Sequence, residues 1–391
     1  MDIRELARLS GVSVATVSRA LNGRPDVSAR TRERVVAMAR ELGYRPNQQA
    51  RSLVRRRSGL LGLLWDTGYA VNGARHPFLA DVLLGLKTAV AGTGYHLMLV
   101  STPAHEDGTH PTDASAGPST GPSTGASTGP APDGAADLST GDQGYVQAAR
   151  QHGLEGVVLM GVDEQAPAIR ALLASGRPCL GIDLPVAGPA ASYVTSDNRS
   201  GAAAAVAHLH ALGHRRIATI TGPLGLLPAT ERLAGYRYQC ARAGLPHRPE
   251  YVESGDFFLS SGYACMRRLL ALPDPPTAVF VAGDEMAVGA LHAAADAGRR
   301  VPQDVSVIGY DDVDAASLVR PTLTTVAQDR MALAAAAVDG LIRLIDAKDA
   351  HDADGADGGP VAGGPRDVGL APRLLPTRLV VRNSCGPVST G

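Results

Sequence analysis

From residue 59 onward the chain alternates strand-length apolar runs with helix-length segments, and this alternation restricts the fold more than any other feature. The runs are Leu60–Trp65, Tyr95–Val100, Gly156–Met160, Cys179–Ile182, Ile217–Thr221, Thr277–Val281 and Val305–Gly309. Between them lie Pro77–Ala91, Gln165–Ala174, Arg199–Leu212, Glu231–Ala243 and Glu285–Ala297, which read as helices. Strands that are apolar on both faces need cover on both, which predicts parallel sheets flanked by helices. About 330 residues exceed what one sheet and one core accommodate, so two lobes with a cleft between them are expected. The runs end near Asp66, Gly161, Asp183, Gly222, Asp284 and Asp311. Ligands of open α/β sheets bind just beyond such carboxyl ends.

The first 58 residues follow another period. Ile3, Leu6 and Ala7 recur at helical spacing until Gly11; Ser13 can cap a second helix through Leu21, ended by Asn22-Gly23. Ser28 can cap a third helix with Val35, Ala39 and Leu42 on one stripe, and Leu6, Val17, Leu21 and Val35 are expected in its core. Two short helices joined by Ser10-Gly11-Val12-Ser13 and braced by a third form a helix-turn-helix layout.

Charge divides the chain in the same place. The formal net charge of −1 argues against a polyanionic partner only when taken as an average. Residues 1–57 hold thirteen arginines against five acidic residues, a net of +8. Segments 103–142 and 348–370 carry −6 and −3, and the remainder is neutral. Both acidic segments are of low complexity and are expected to be disordered surface inserts.

Several classes are set aside. No run approaches the roughly 18 apolar residues of a membrane span, and the N-terminus lacks the apolar region of a secretory signal. A cytoplasmic, multidomain globular protein is therefore expected. Cys179, Cys240, Cys265 and Cys385 are far apart, with no metal or disulfide pattern. His208 and His210, at i and i+2 on a helix, do not face each other and so do not share a metal. No P-loop, GxSxG, HExxH or GxGxxG appears, so neither an enzyme nor a cofactor is expected.

The stretch Gly11-Val12-Ser13-Val14-Ala15-Thr16-Val17-Ser18-Arg19-Ala20-Leu21-Asn22 resembles the DNA-binding head of LacI/GalR transcription regulators. Thr31-Arg32-Glu33-Arg34-Val35, Leu42-Gly43-Tyr44-Arg45-Pro46-Asn47 and Ala50-Arg51-Ser52-Leu53 continue the match at the right spacing. A recognition helix puts its first turns in the major groove, so Val14, Ala15 and Arg19 reach base edges. Val14 and Ala15 suit thymine methyls and Arg19 suits guanine. Thr16, Ser18 and Asn22 suit phosphates. The resemblance further implies a hinge helix in which Leu53 wedges into the minor groove and Ala50 packs on the symmetry mate. A homodimer on a pseudo-palindromic operator in double-stranded DNA follows.

Residues 59–385 resemble the effector-binding core of the same family, itself built like a periplasmic sugar-binding protein. The resemblance rests on His76-Pro77-Phe78, Asp197–Ala202, Glu231–Tyr236, Gly283–Gly289, Val305–Asp312 with Leu323–Val326, and Leu375–Leu379. It implies that Arg232 anchors a small-molecule, sugar-like effector, that Asp311 accepts ligand hydrogen bonds and that Phe257 stacks on a ring. His76, Phe78, Asp183 and Asp284 complete the implied site. Read without the resemblance, Arg232 also suits an ion pair with Glu231 or Asp256, Asp311 a turn cap, and Phe257 the core. The family often has Asn where this chain has Gly283, which removes one polar ligand contact and weakens the expectation of a hexose.

The expected organisation is a multidomain chain: a helix-turn-helix head at 1–46, a hinge at 47–58 and a two-lobed α/β core at 59–385. The near lobe takes about 59–192 and 329–373, and the far lobe about 193–328 and 374–385. The expected function is ligand-controlled transcription regulation, most simply repression. Alternatives are a DNA-binding dimer whose core has lost its effector response, a solute-binding protein or an enzyme.

Overall fold

The structure, a computed structural model, describes residues 3–21, 26–42, 57–65, 76–100, 144–162, 165–246, 248–357 and 370–388. Contacts divide the chain into two compact units, Met1–Gly59 and Leu60–Gly391.

The first unit contains α1 (Ile3–Ser10), α2 (Val14–Leu21) and α3 (Ala29–Glu41). Leu6, Ala7, Val17, Ala20, Val27, Val35 and Ala39 form its small core. Both expected caps are present: Ser13 Oγ accepts the Thr16 N–H at 3.1 Å and Ser28 Oγ accepts the Thr31 N–H at 3.3 Å. These bonds satisfy amides that a helix start leaves unpaired. Leu42 departs from the expected stripe: it is 41% exposed, because it lies one residue past the end of α3.

The second unit has two six-stranded sheets. The near sheet uses β1 (Leu60–Trp65), β2 (His96–Val100), β3 (Gly156–Met160), β4 (Cys179–Ile182) and β5 (Ala191–Ser196). Its helices are α4 (Pro77–Val90), α5 (Gly144–Gln151) and α6 (Pro167–Ala174). The far sheet uses β6 (Ile217–Thr221), β7 (Val252–Ser254), β8 (Ala278–Val281), β9 (Ser306–Asp311) and β10 (Thr324–Gln328). Its helices are α7 (Asn198–Ala211), α8 (Leu227–Arg242), α9 (Leu259–Leu270), α10 (Asp284–Asp296) and the short α11 (Asp314–Leu318). Then α12 (Arg330–Asp357) returns to the near lobe, β11 (Arg373–Leu375) completes the near sheet and β12 (Thr377–Val380) the far one. The orders are β11-β5-β4-β3-β1-β2 and β12-β10-β9-β8-β6-β7. Every pairing is parallel except β10 with β12.

The chain thus crosses between lobes three times, near residues 197, 329 and 376. The first crossing lies four residues later than expected, because β5 belongs to the near sheet. Helix α12 also corrects the expectation of a disordered insert from 348, since it continues through Asp357. Its apolar face, through Leu333, Ala337, Leu341, Leu344 and Ile345, covers the near sheet, and the buried half carries the acidic half as one helix. Segment 103–142 and residues 358–369 lie outside the described residues. No helix among the described residues is long and apolar enough to cross a membrane.

Close packing in the far lobe depends on glycine. A Cβ at Gly262 would strike the backbone of Met286, and one at Gly289 the backbone of Leu259, so α9 and α10 meet almost main chain to main chain.

Candidate functional site

A cleft of about 550 Å³ lies where the two sheets present their strand ends. The near wall comes from Trp65 at the end of β1, Met160–Val162 after β3 and Ile182–Leu184 after β4. The far wall comes from Arg232 on α8, Asp311 at the end of β9 and Asp256–Phe258 before α9. Strand ends supply both walls, as the sequence pattern led one to expect.

Backbone conformation marks the same place. Asp183, Phe257, Asp311 and Asp312 have φ of 54°, 73°, 111° and 56°, and no other described non-glycine residue has positive φ. Three of the four line the cleft and the fourth is adjacent. Such conformations cost on the order of 1–3 kcal/mol each, and a structure holds them where a side chain must be aimed.

The polar floor is one connected chain across the first crossing. Thr195 Oγ1 donates to Asp183 Oδ1 at 2.5 Å, and Asn198 Nδ2 donates to Thr195 Oγ1 at 3.2 Å. Arg232 Nε donates to Asn198 Oδ1 at 2.8 Å, and its Nη1 donates to the Ala282 carbonyl at 2.6 Å. The same Nη1 is 3.3 Å from Asp311 Oδ1, both side chains being buried. Gln328 Nε2 donates to Asp311 Oδ1 at 2.7 Å, and Arg330 Nη1 donates to the Asp311 carbonyl at 2.5 Å. Asp183 on the near wall is thereby linked to Asp311 on the far wall. Burial pushes Asp183 above the usual carboxylate range, against the pull of its Thr195 hydrogen bond.

His76 stands before α4 and reaches the far lobe. Its ring is edge-on to Phe78, Phe257 and Phe258, with centroids 6.5, 6.3 and 6.0 Å away. Its Nδ1 is buried with no partner among the described residues. Burial holds the imidazole below its usual pKa; Asp311 pulls the other way and Arg232 adds to the shift.

Of the expected effector residues, His76, Phe78, Asp183, Arg232, Phe257 and Asp311 come together around this cleft. Arg232 pairs with Asp311 rather than with Glu231 or Asp256. Asp284 is not on the lining. It is fully buried beneath the floor, accepting from Thr325 Oγ1 at 2.6 Å and from the Val313 N–H at 3.0 Å, so it braces the turn after Asp311. Burial, and next the nearby Asp311 charge, push it well above the usual carboxylate range. Sequence reasoning passed over Trp65, Leu83, Met160, Leu226 and Phe258. For Trp65 and Met160 the last position of an apolar run was the available signal.

On the head, Val14, Ala15 and Arg19 are exposed on α2 and Thr16 and Ser18 are half-buried, while Val17 and Ala20 face the core. Arg19 Nε is 3.6 Å from Asp26 Oδ2, with both side chains more than half exposed. Asn22, Ala50 and Leu53 lie outside the described residues. The four cysteines are free thiols, and no cluster of metal-ligating side chains occurs among the described residues.

Comparison with known proteins matches both units. Residues 2–47 match the profile of bacterial regulatory proteins of the lacI family, and residues 206–385 that of a periplasmic binding protein-like domain. The HTH-type transcriptional regulator CelR of Thermobifida fusca is 37% identical over 325 residues, 83% of this chain and 85% of CelR. This chain belongs to the LacI family. The HTH-type transcriptional repressor CytR of Escherichia coli (strain K12) is 30% identical over 390 residues, 98% of this chain and 95% of CytR. A solved CelR–cellobiose complex superposes with a TM-score of 0.62 at 30% identity, covering 98% of this chain and 99% of that one. The lac repressor dimer bound to operator and the anti-inducer ONPF gives 0.68 at 26% identity, covering 100% and 99%. This LacI-family chain is accordingly a DNA-binding transcriptional regulator, not an enzyme.

Proposed function

We propose that this regulator is a cytoplasmic, nucleoid-associated repressor that binds its operator as a homodimer and is released or engaged by a small sugar-like effector in the cleft. The observation that carries the effector reading is the ring of left-handed, non-glycine residues Asp183, Phe257 and Asp311 around one buried arginine. Arg232 and Asp311 hold the effector's hydroxyls, Asp183 and His76 meet it from the near lobe, and Phe257 and Phe78 pack on it. Binding energy that differs between open and closed cleft shifts the dimer geometry, and by linkage DNA shifts effector affinity by the same factor. Relatives support the effector class: CelR was solved with cellobiose, and another relative is a ribose operon repressor, 31% identical over 344 residues.

At the DNA end, Val14, Ala15 and Arg19 read bases; Thr16, Ser18 and Asn22 hold phosphates; Ala50 and Leu53 belong to a hinge that bends the operator centre. The +8 head supplies the salt-dependent share of affinity. The test couples both ends. Arg232→Ala should still bind operator but no longer respond to the effector, whereas a normal response would sink the effector assignment. Arg19→Ala should lose about 1–3 kcal/mol of operator binding and relax sequence preference. An unchanged ratio of operator to random-DNA affinity would sink the base-reading assignment.

A further inference from the structure

We infer that the effector of this cleft is an uncharged glycoside whose second moiety is an apolar or aromatic ring, the chemistry shared by aryl glycosides and nucleosides. The inference rests on reading the cleft as an effector site.

Charge comes first. The described lining carries Asp183, Asp256 and Asp311 against one guanidinium, Arg232, whose charge is paired with Asp311. Arg232 spends Nε on Asn198 and Nη1 on Ala282 and Asp311. A carboxylate or phosphate entering the cleft would meet acidic side chains from both lobes and a cation already paired with Asp311. Burying an unpaired charge in such a place is strongly unfavourable. Hydroxyls have no such difficulty, since they donate to Asp183 and Asp311.

The second ring follows from how Phe257 is seated. A Cβ at Gly222 would fall within the Phe257 ring, and a Cβ at Gly283 would lie 3.2 Å from its Cδ1. The ring therefore lies flush against main chain at two glycines, in a slot that any side chain at Gly222 would close. The slot takes up the space that a polar side chain at position 283 would use, so a hydrogen-bonding wall becomes an aromatic one. Phe257 is held there at a φ of 73°, and the Arg232 Cζ lies 5.9 Å from its ring centre. Trp65, Leu83, Leu226, Pro228 and Phe258 continue the apolar lining. Few hydrogen-bonding groups thus face about 550 Å³, a volume with room for more than one ring. One hydroxylated ring satisfies the polar floor; a second needs an apolar face.

The test uses the full-length protein and its single tryptophan, Trp65, which lines the cleft and reports binding by fluorescence, with calorimetry in parallel. The probes are matched methyl and phenyl glycosides of glucose, galactose and xylose, cellobiose, free ribose, cytidine, adenosine and phenyl glucuronide. A phenyl glycoside or a nucleoside should bind best, at least ~10-fold tighter than the matched methyl glycoside or free ribose, with the glucuronide weakest. In Phe257→Gly that preference should fall toward one; glycine accepts the left-handed backbone, and a melting curve checks that the variant stays folded without the ring. Gly283→Asn, which pushes on the ring, should lower the same ratio. Phenyl and nucleoside arms separate the two sources of the aromatic ring. Equal affinity for phenyl and methyl partners, or tightest binding by cellobiose or the glucuronide, overturns this inference and leaves the effector reading standing. No binding by any probe overturns the effector reading, and this inference with it.

Discussion

The Cζ atom of Arg232 sits 3.8 Å from the centre of the Tyr310 ring, so the buried cation of the cleft floor rests on an aromatic face as well as beside Asp311. Both supports come from β9, which ends at Asp311. Truncation to Ala would leave Asp311 buried without its cation, a loss of about 3–5 kcal/mol. Arg232→Lys keeps a charge but cannot reproduce the fork to Asn198 and Ala282. Urea unfolding should therefore rank wild type above Arg232→Lys and Arg232→Ala lowest; equal midpoints would show the ion pair to be energetically idle.

Asn198 joins the near-lobe carboxylate to the far-lobe guanidinium, through Thr195 on one side and Arg232 on the other. Asn198→Ala should cost about 1–3 kcal/mol, because Arg232 Nε would be left buried and unsatisfied. Effector affinity should fall with it, while operator affinity without effector should hold. Loss of operator binding in a folded variant would contradict this division.

His76 has a pKa lowered mainly by burial, so the unfolded chain binds its proton more readily than the folded one. Its contribution to stability is complete above the unfolded value of 6.5 and is lost as pH falls through the lower folded value. The raised pKa values of Asp183 and Asp284 act with the opposite sign, so the comparison must be with a variant. Acidification from pH 7 to 5 should lower the melting temperature of wild type more than that of His76→Asn. Parallel curves would remove His76 from the balance.

Gly289 and Gly262 let α9 and α10 cross at main-chain distance. Gly289→Ala adds one methyl against the Leu259 carbonyl and should cost about 1–3 kcal/mol, or more if the helices cannot part. Calorimetry of the core should show the drop, and a stable variant would mean that the crossing is looser than its geometry.

The cleft walls were legible in the sequence where they followed a strand. Asp183 and Asp311 each stand at the end of an apolar run, and the ligand rule for α/β sheets points at such ends. Asp284 stands at the same kind of position yet turns inward, because Thr325 and the Val313 amide, both distant in sequence, take its oxygens. Helix α12 was missed for a related reason: its long alanine-rich run has only a weak apolar stripe, and its helicity depends on the sheet it covers.

The sequence by itself determined the architecture: a basic three-helix head, two lobes of alternating strands and helices, and a resemblance dense enough to name the family. These follow from periodicity, caps and local composition, which are properties of neighbours along the chain. Only the tertiary structure decided which carboxylate Arg232 pairs with, that Phe257 lies in a slot made by Gly222 and Gly283, and that His76 crosses to the far wall. Those contacts join residues from tens to hundreds of positions apart, and no local pattern encodes the distance between two side chains until both sheets have been packed.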